Sequence, residues 1–199
     1  MNGKPLLIVV SAPSGAGKTT LCDRLLAERK DIVYSVSCTT RAPRGREADG
    51  VDYSFLSEAE FARRLDAGEF LEHALVHGHR YGTPRHRVLE AMAAGKSVLM
   101  DIDVQGAAQI RARVSALPAG DPLRGGFVDI FIEPPSLEAL RARLERRGED
   151  SPETIARRLR NAEAEMRRNG EFSHRIVNDD LGAAYARLKG ILMQEQDRR

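Results

Sequence analysis

The chain has 199 residues, of which 42% are hydrophobic and 30% charged, with a formal net charge of +2. The apolar share supports one folded domain, with small inserted modules at most, and excludes wholesale disorder. The near-balanced charge does not announce a nucleic-acid binder, and the longest apolar run, Leu6–Val10, is far too short to cross a bilayer.

The start, Met1-Asn2-Gly3-Lys4-Pro5, has no long apolar region, so no secretory leader is expected. Cys22 and Cys38 show neither a pairing pattern nor metal-ligand spacing. They predict bland, reduced thiols and a cytoplasmic protein. Leu6–Val10 reads as a strand buried on both faces. A Ser/Pro/Gly cluster follows, and the spacing of Leu21, Leu25 and Leu26 predicts a helix from about Lys18 to Arg29. Strand, glycine turn and helix in that order open an α/β fold.

Ser35–Ser37 is expected to be a strand, and Val51–Leu56 to be extended. Ser57 and Glu60 form a capping-box pattern that starts a short helix running to Gly68. Phe70–Val76 and Arg80–Thr83 read as strand-like. This polar, mixed segment looks like an insertion that carries a substrate site. The α/β pattern resumes with a helix from about Pro84 to Ala94, stopped by Gly95, and a second buried strand over Ser97–Ile102. Val104–Val114 reads as helix, Leu117–Gly126 as a mobile loop, and Phe127–Ile132 as a third buried strand. Ser136 caps a helix reaching about Arg147, and Ser151-Pro152-Glu153 starts another that reaches about Arg168. His174–Asn178 is the last strand and Leu181–Gln194 the closing helix.

The strongest local signal is Ala12-Pro13-Ser14-Gly15-Ala16-Gly17-Lys18-Thr19. The strict phosphate-loop pattern has Gly at position 12; the rest matches, between a buried strand and a helix. Glycines let backbone N–H groups curl into an anion nest, and the helix N-terminus adds its positive end. Lys18 is expected on the β- and γ-phosphates, and the Thr19 hydroxyl on Mg²⁺. A GTPase, a motor-type ATPase and a small kinase all use such a loop. Asp103-Val104-Gln105-Gly106 matches D-x-x-G, but no N-K-x-D guanine-reading motif occurs. The chain length favours a small kinase.

Arginine makes up 26 of the 31 basic residues. Position matters more than number, because guanidinium grips phosphate with two parallel bonds. Ser37-Cys38-Thr39-Thr40-Arg41-Ala42-Pro43-Arg44-Gly45-Arg46-Glu47 extends the pattern. With the phosphate loop, Asp101-Ile102-Asp103-Val104-Gln105-Gly106 and Val177-Asn178-Asp179-Asp180, it resembles the guanylate kinase family, specifically the small bacterial and yeast-type enzymes, over about residues 5–192.

The resemblance implies a phosphate-loop NTPase-type parallel α/β core with an inserted mixed α+β GMP-binding module and a helical lid. The core would comprise 1–34, 88–142 and 168–199, the module 35–87 and the lid 143–167. It also implies phosphoryl transfer from ATP to GMP with Mg²⁺. ATP would sit on Ala12, Pro13, Ser14, Gly15, Ala16, Gly17, Lys18, Thr19, Thr20 and Asn178. Arg41 and Arg44 would clamp the GMP phosphate, with Tyr53 and Tyr81 as further donors. Ser37, Glu72 and Thr83 would read guanine, and Asp103 would also face GMP. Asp101 would face the metal, through water, and Glu47 would orient the arginines. Arg143, Arg147 and Arg158 would be the lid arginines acting with Lys18. The motifs do not separate GMP from dGMP, and both are expected acceptors; a homo-oligomer stays open. No role follows for Arg46.

Residue chemistry supports the same scheme. Guanine presents N1–H and N2–H donors and an O6 acceptor. A buried Glu72 carboxylate can accept both, and hydroxyls on Ser37 and Thr83 can donate to O6. Adenine would leave the carboxylate unpaired, costing about 1–3 kcal/mol per lost partner. A GMP phosphate is already anionic, so no general base is required. His73, His77, His79, His86 and His174 fall in no catalytic spacing. Two rivals remain: a scaffold-type binding module of guanylate-kinase-like fold, against which the intact Gly17-Lys18-Thr19 argues, and a kinase for another acceptor.

Overall fold

The computed structural model describes residues 3–76, 78–148 and 150–198. The readings placed on Met1, Asn2, His77, Glu149 and Arg199 lie outside the described residues. The elements run β1 (Leu7–Ser11), α1 (Lys18–Glu28), β2 (Ile32–Tyr34), β3 (Cys38–Thr39), β4 (Ser54–Phe55), α2 (Glu58–Asp66), β5 (Phe70–Val76), β6 (His79–Pro84) and α3 (Arg85–Ala93). They continue with β7 (Ser97–Asp101), α4 (Val104–Ala116), α5 (Pro122–Gly126), β8 (Phe127–Glu133), α6 (Leu137–Arg147), α7 (Pro152–Met166), β9 (His174–Val177) and α8 (Leu181–Asp197).

Five strands form a parallel sheet in the order β2-β7-β1-β8-β9. Alternate side chains of β1 and its approach leave the sheet on opposite faces. Leu6, Ile8 and Val10 pack with Leu21, Leu25, Leu188 and Ile191 of α1 and α8. Leu7 and Val9 pack with Val88, Met92, Val104 and Ile110 of α3 and α4. Each such buried aliphatic side chain contributes roughly 1.5–3 kcal/mol. This double coverage explains why β1 reads as an unbroken apolar run. It also brings the C-terminal ends of β1, β7 and β8 to one edge, where open α/β sheets hold ligands. Cys22 and Cys38 are buried and unpaired, and burial pushes the Cys22 thiol up to about 12.

A second sheet, β4-β3-β6-β5, carries α2 over a small core of Cys38, Phe61 and Phe70. The Phe61 and Phe70 rings stack at 4.5 Å. Gln109 of α4 ties this sheet to the main one. Its amide accepts from His73 N–H at 3.1 Å and donates to His73 C=O at 2.9 Å, occupying the free edge of β5. Helices α6 and α7 follow each other and pack as a hairpin around Leu140, Leu144, Ile155 and Leu159.

Three expectations need correction. Ser35–Ser37 is not a strand; the strand is the preceding Ile32–Tyr34, and Ser35 only continues its ladder with one N–H bond to Leu99 C=O. Leu117–Gly126 is not simply a loop. Asp121 caps a short helix whose Leu123 is fully buried against α3 and α4, so packing overrides the Pro/Gly composition. Only half of the capping box forms: Ser57 Oγ accepts from Glu60 N–H, while the Glu60 carboxylate turns to Arg63 and Arg64. In addition, α6 runs unbroken through residue 143, so a lid beginning there would cut a helix.

Candidate active site

The chain leaves β1 at Ser11, turns through Ala12–Gly17 and enters α1 at Lys18. Gly17 adopts φ +94, a left-handed conformation that favours glycine. A side chain there would also collide with Asn178 Nδ2. Asn178, itself buried, donates from Nδ2 to Ala16 C=O at 2.7 Å. The start of α8's loop thus braces the phosphate loop from outside. Lys18 Nζ is ion-paired with Asp101 and donates to Ile102 C=O at 3.3 Å.

These residues enclose a cavity of about 370 Å³. Ala12, Pro13, Ser14, Gly15, Gly17, Lys18, Thr19 and Thr20 all line it; Ala16 lies behind it, fully buried. Asp101 at the end of β7 lines it too. The expected lid arginines converge here. Arg147 lines this cavity and a neighbouring one of about 320 Å³ shared with Arg143, Thr20 and Asn178. Arg143 Nη2 donates to Asn178 C=O at 2.7 Å, and Arg158 Nη1 donates to Ser14 Oγ at 3.4 Å while pairing with Asp150.

Beyond Asp101 lies a second cavity of about 230 Å³. Ser37, Tyr53, Glu72, Tyr81 and Asp103 line it, and Asp101 faces both cavities. Glu72 is 6% exposed. Burial raises its carboxyl pKa, the Asp103 charge adds to this, and a bond from Thr83 opposes it. Gly106 makes room for the group: a Cβ there would lie 3.3 Å from Glu72 Oε2. Asp103 Oδ1 caps α4, accepting from Gln105 N–H at 3.0 Å and Gly106 N–H at 2.8 Å. The D-x-x-G match therefore has a structural cause here: a helix cap followed by a clearance for Glu72.

Three expected acceptor residues sit differently from their assignments. Thr83 is fully buried behind Glu72 and donates to Glu72 Oε1 at 2.6 Å, so it holds the carboxylate instead of forming the cavity wall. Arg41 is buried, with its guanidinium committed to both Glu47 oxygens at 2.9 Å, to Ala42 C=O at 2.8 Å and to Tyr81 Oη at 3.2 Å. That pairing holds Arg41 firmly protonated and the Glu47 carboxyl below its usual range. Arg41 reaches the cavity through Tyr81 and through Tyr53, whose ring centroid is 5.4 Å from the guanidinium carbon. The Arg44 side chain is exposed and does not line the cavity; its backbone N–H donates to Glu47 Oε2 at 2.8 Å.

Sequence reasoning missed Tyr34, Asp52 and Glu165. Tyr34 ends β2 at the acceptor cavity and lines it while remaining half exposed. The signal was available: a residue at the C-terminal end of a parallel strand faces the ligand edge. Glu165 of α7 lines the phosphate cavity, and nothing in its local sequence marks it.

The sequence model of the guanylate kinase family matches residues 4–195. The chain belongs to the guanylate kinase family. It is 49% identical over 195 residues to a guanylate kinase of Symbiobacterium thermophilum, covering 98% of this chain and 88% of that one. It is 45% identical to one of Myxococcus xanthus, with the same coverage. The crystal structure of guanylate kinase from Anaplasma phagocytophilum superimposes with a TM-score of 0.71 at 36% identity, covering 99% of this chain and 89% of that one. Membership in this family fits a phosphate loop facing a second, carboxylate-lined cavity, and the phosphate-loop NTPase core expected from the sequence matches the parallel sheet described above.

Proposed function

We propose that the chain carries out the family's ATP-dependent phosphorylation of GMP by in-line transfer between its two cavities, giving ADP and GDP. The single observation that carries this reading is that Asp101 lines both cavities. A triphosphate seated on the phosphate loop and a monophosphate held near Tyr53 and Tyr81 would direct their charged ends at each other there. The acceptor oxygen is already anionic, so catalysis reduces to alignment and charge neutralisation. Lys18, released from Asp101 by the incoming phosphates, would neutralise the β- and γ-oxygens. Arg147, and Arg143 and Arg158 beside it, would approach the transferred group from the helical hairpin. Glu72 would accept the two donors of guanine, positioned by Thr83, while Ser37 would donate to O6.

The donor set suits Mg²⁺: the Thr19 hydroxyl would ligate it and the Asp101 carboxylate would face it through water, both being hard oxygen donors that line one cavity. When bound, the ion would neutralise charge on the triphosphate. Residues 35–87 as acceptor module and the α6–α7 hairpin as a lid that excludes water belong to the same proposal, supported by their separate small cores. So does a role in GMP recycling within purine nucleotide metabolism. A cytoplasmic location is supported by two buried, unpaired thiols; among the described residues no helix is long and apolar enough to cross a membrane.

The test is coupled turnover of purified protein with ATP and a panel of GMP, dGMP, AMP and UMP. The proposal expects rapid turnover with GMP, detectable turnover with dGMP, and little with the others. Equal use of AMP, or binding without turnover, would contradict it.

A further inference from the structure

The phosphate cavity carries four charged side chains, and they cancel. Lys18 and Arg147 are cationic; Asp101 and Glu165 are anionic. In the adjoining cavity Arg143 and Arg146 outweigh Asp179, whereas Arg158 is paired with Asp150 and Asp103 adds a negative charge from the acceptor side. Within the cavity itself, the two acids offset the two cations that a polyanion would otherwise meet beside the backbone nest and the helix N-terminus.

Asp101 is accounted for by its ion pair with Lys18. Glu165 is not. Among the described residues its carboxylate has no hydrogen-bond or ion-pair partner. It is half-buried, which raises its pKa, and it feels Lys18 and Asp103. Its place is fixed from below, because the adjacent Met166 packs into the main core beside Phe131 and Phe172. Glu165 therefore sits at the root of the α6–α7 hairpin, where movement of the hairpin tip would displace it little.

We infer that Glu165 is a specificity-determining residue that makes the phosphate cavity reject a bare triphosphate and accept one already complexed with a divalent cation. A free triphosphate would bring its full negative charge against an unpaired carboxylate in a partly desolvated pocket, where Coulomb interactions are strong. A complexed one would carry its own compensation. This deepens the reading of the cavity as a triphosphate site and rests on it.

The experiment measures ATP affinity by isothermal titration calorimetry for the full chain and for Glu165→Gln and Glu165→Asp, each in excess Mg²⁺ and in EDTA, at mildly alkaline pH. The wild type should bind the Mg²⁺ complex more tightly than free ATP. Glu165→Gln should bind free ATP about tenfold more tightly, with affinity for the complex changed less than about twofold. Glu165→Asp should retain the wild-type preference. Because the preference is a ratio measured on one protein, partial misfolding of a variant cancels from it. Two results would overturn the inference while leaving the triphosphate site intact: a wild-type preference unchanged in Glu165→Gln, or both affinities weakened equally. Weaker binding of the complex alone would also overturn it, placing the carboxylate among the cation's ligands. If the wild type binds ATP in neither condition, both the inference and the triphosphate site fall.

Discussion

The two cavities that meet at Asp101 are built in opposite ways. The donor cavity is mostly backbone: one contiguous loop between β1 and α1, braced by the Asn178 amide and closed by a few charged groups. The acceptor cavity draws its residues from β2, the β2–β3 and β3–β4 connections, β5, β6, the end of β7 and the cap of α4. A triphosphate offers the same oxygens whatever its base, so a backbone nest suffices. A purine must be told from its relatives, which requires donors and acceptors placed one at a time. The donor side should therefore fail through rate, and the acceptor side through affinity and selectivity.

Replacing Lys18 by Met offers the largest break in this comparison. Turnover should fall by about a thousandfold or more while circular dichroism and melting stay near normal, because the lost charge acts on the transferred group. Near-normal activity would remove Lys18 from the chemistry. Arg41→Ala comes next. It removes the cation that Glu47 holds against Tyr81 and Tyr53 at the cavity wall, so the KM for GMP should rise about tenfold, with the KM for ATP changed less than about twofold. An equal rise in both would mean that Arg41 merely supports the fold.

Glu72→Gln sharpens the comparison by separating function from stability. Discrimination between GMP and AMP should drop about tenfold or more. Stability should move the other way. The folded state holds the Glu72 proton more tightly than the unfolded chain does, because burial opposes ionisation. Its contribution is fully present below the ordinary glutamate pKa and is lost as pH rises through the raised one. The variant should lack that slope and melt at a higher temperature at neutral pH. In the wild type, affinity for GMP should weaken as pH falls through the same window, since the accepting carboxylate disappears. A melting temperature unchanged by Glu72→Gln would contradict the desolvation argument.

The smallest expected effect belongs to Thr83→Val. Loss of one hydrogen bond to a carboxylate should raise the KM for GMP several-fold. In a Glu72→Gln background the same change should add little, because Thr83 acts through Glu72. Full additivity would show instead that the hydroxyl touches the base.

The same contrast explains what was legible in the sequence. The core strands β1, β7 and β8 are covered on both faces, so they appear as unbroken apolar runs, and the phosphate loop is one local pattern whose glycines are demanded by backbone geometry. Elements fixed by tertiary contact were misread. Ile32–Tyr34 is a three-residue edge strand, too short to show a period. Pro122–Gly126 is helical because Leu123 has a hydrophobic site to fill, against its composition. Thr83 could be placed near the base by motif, but only the structure turns its hydroxyl toward Glu72. The Arg44 side chain lies at the surface because the local loop directs only its N–H inward, onto Glu47. Glu165 was invisible, since an acid on an amphipathic helix reads as a solvated face.

The central claim is that two nucleotides meet end to end at Asp101. The most direct measurement is inhibition by a single molecule that joins adenosine and guanosine through a polyphosphate long enough to span both cavities. The account predicts competition against ATP and against GMP alike, with affinity exceeding that of either nucleotide alone by about a hundredfold. Competition against one substrate only, with no gain in affinity, would contradict it.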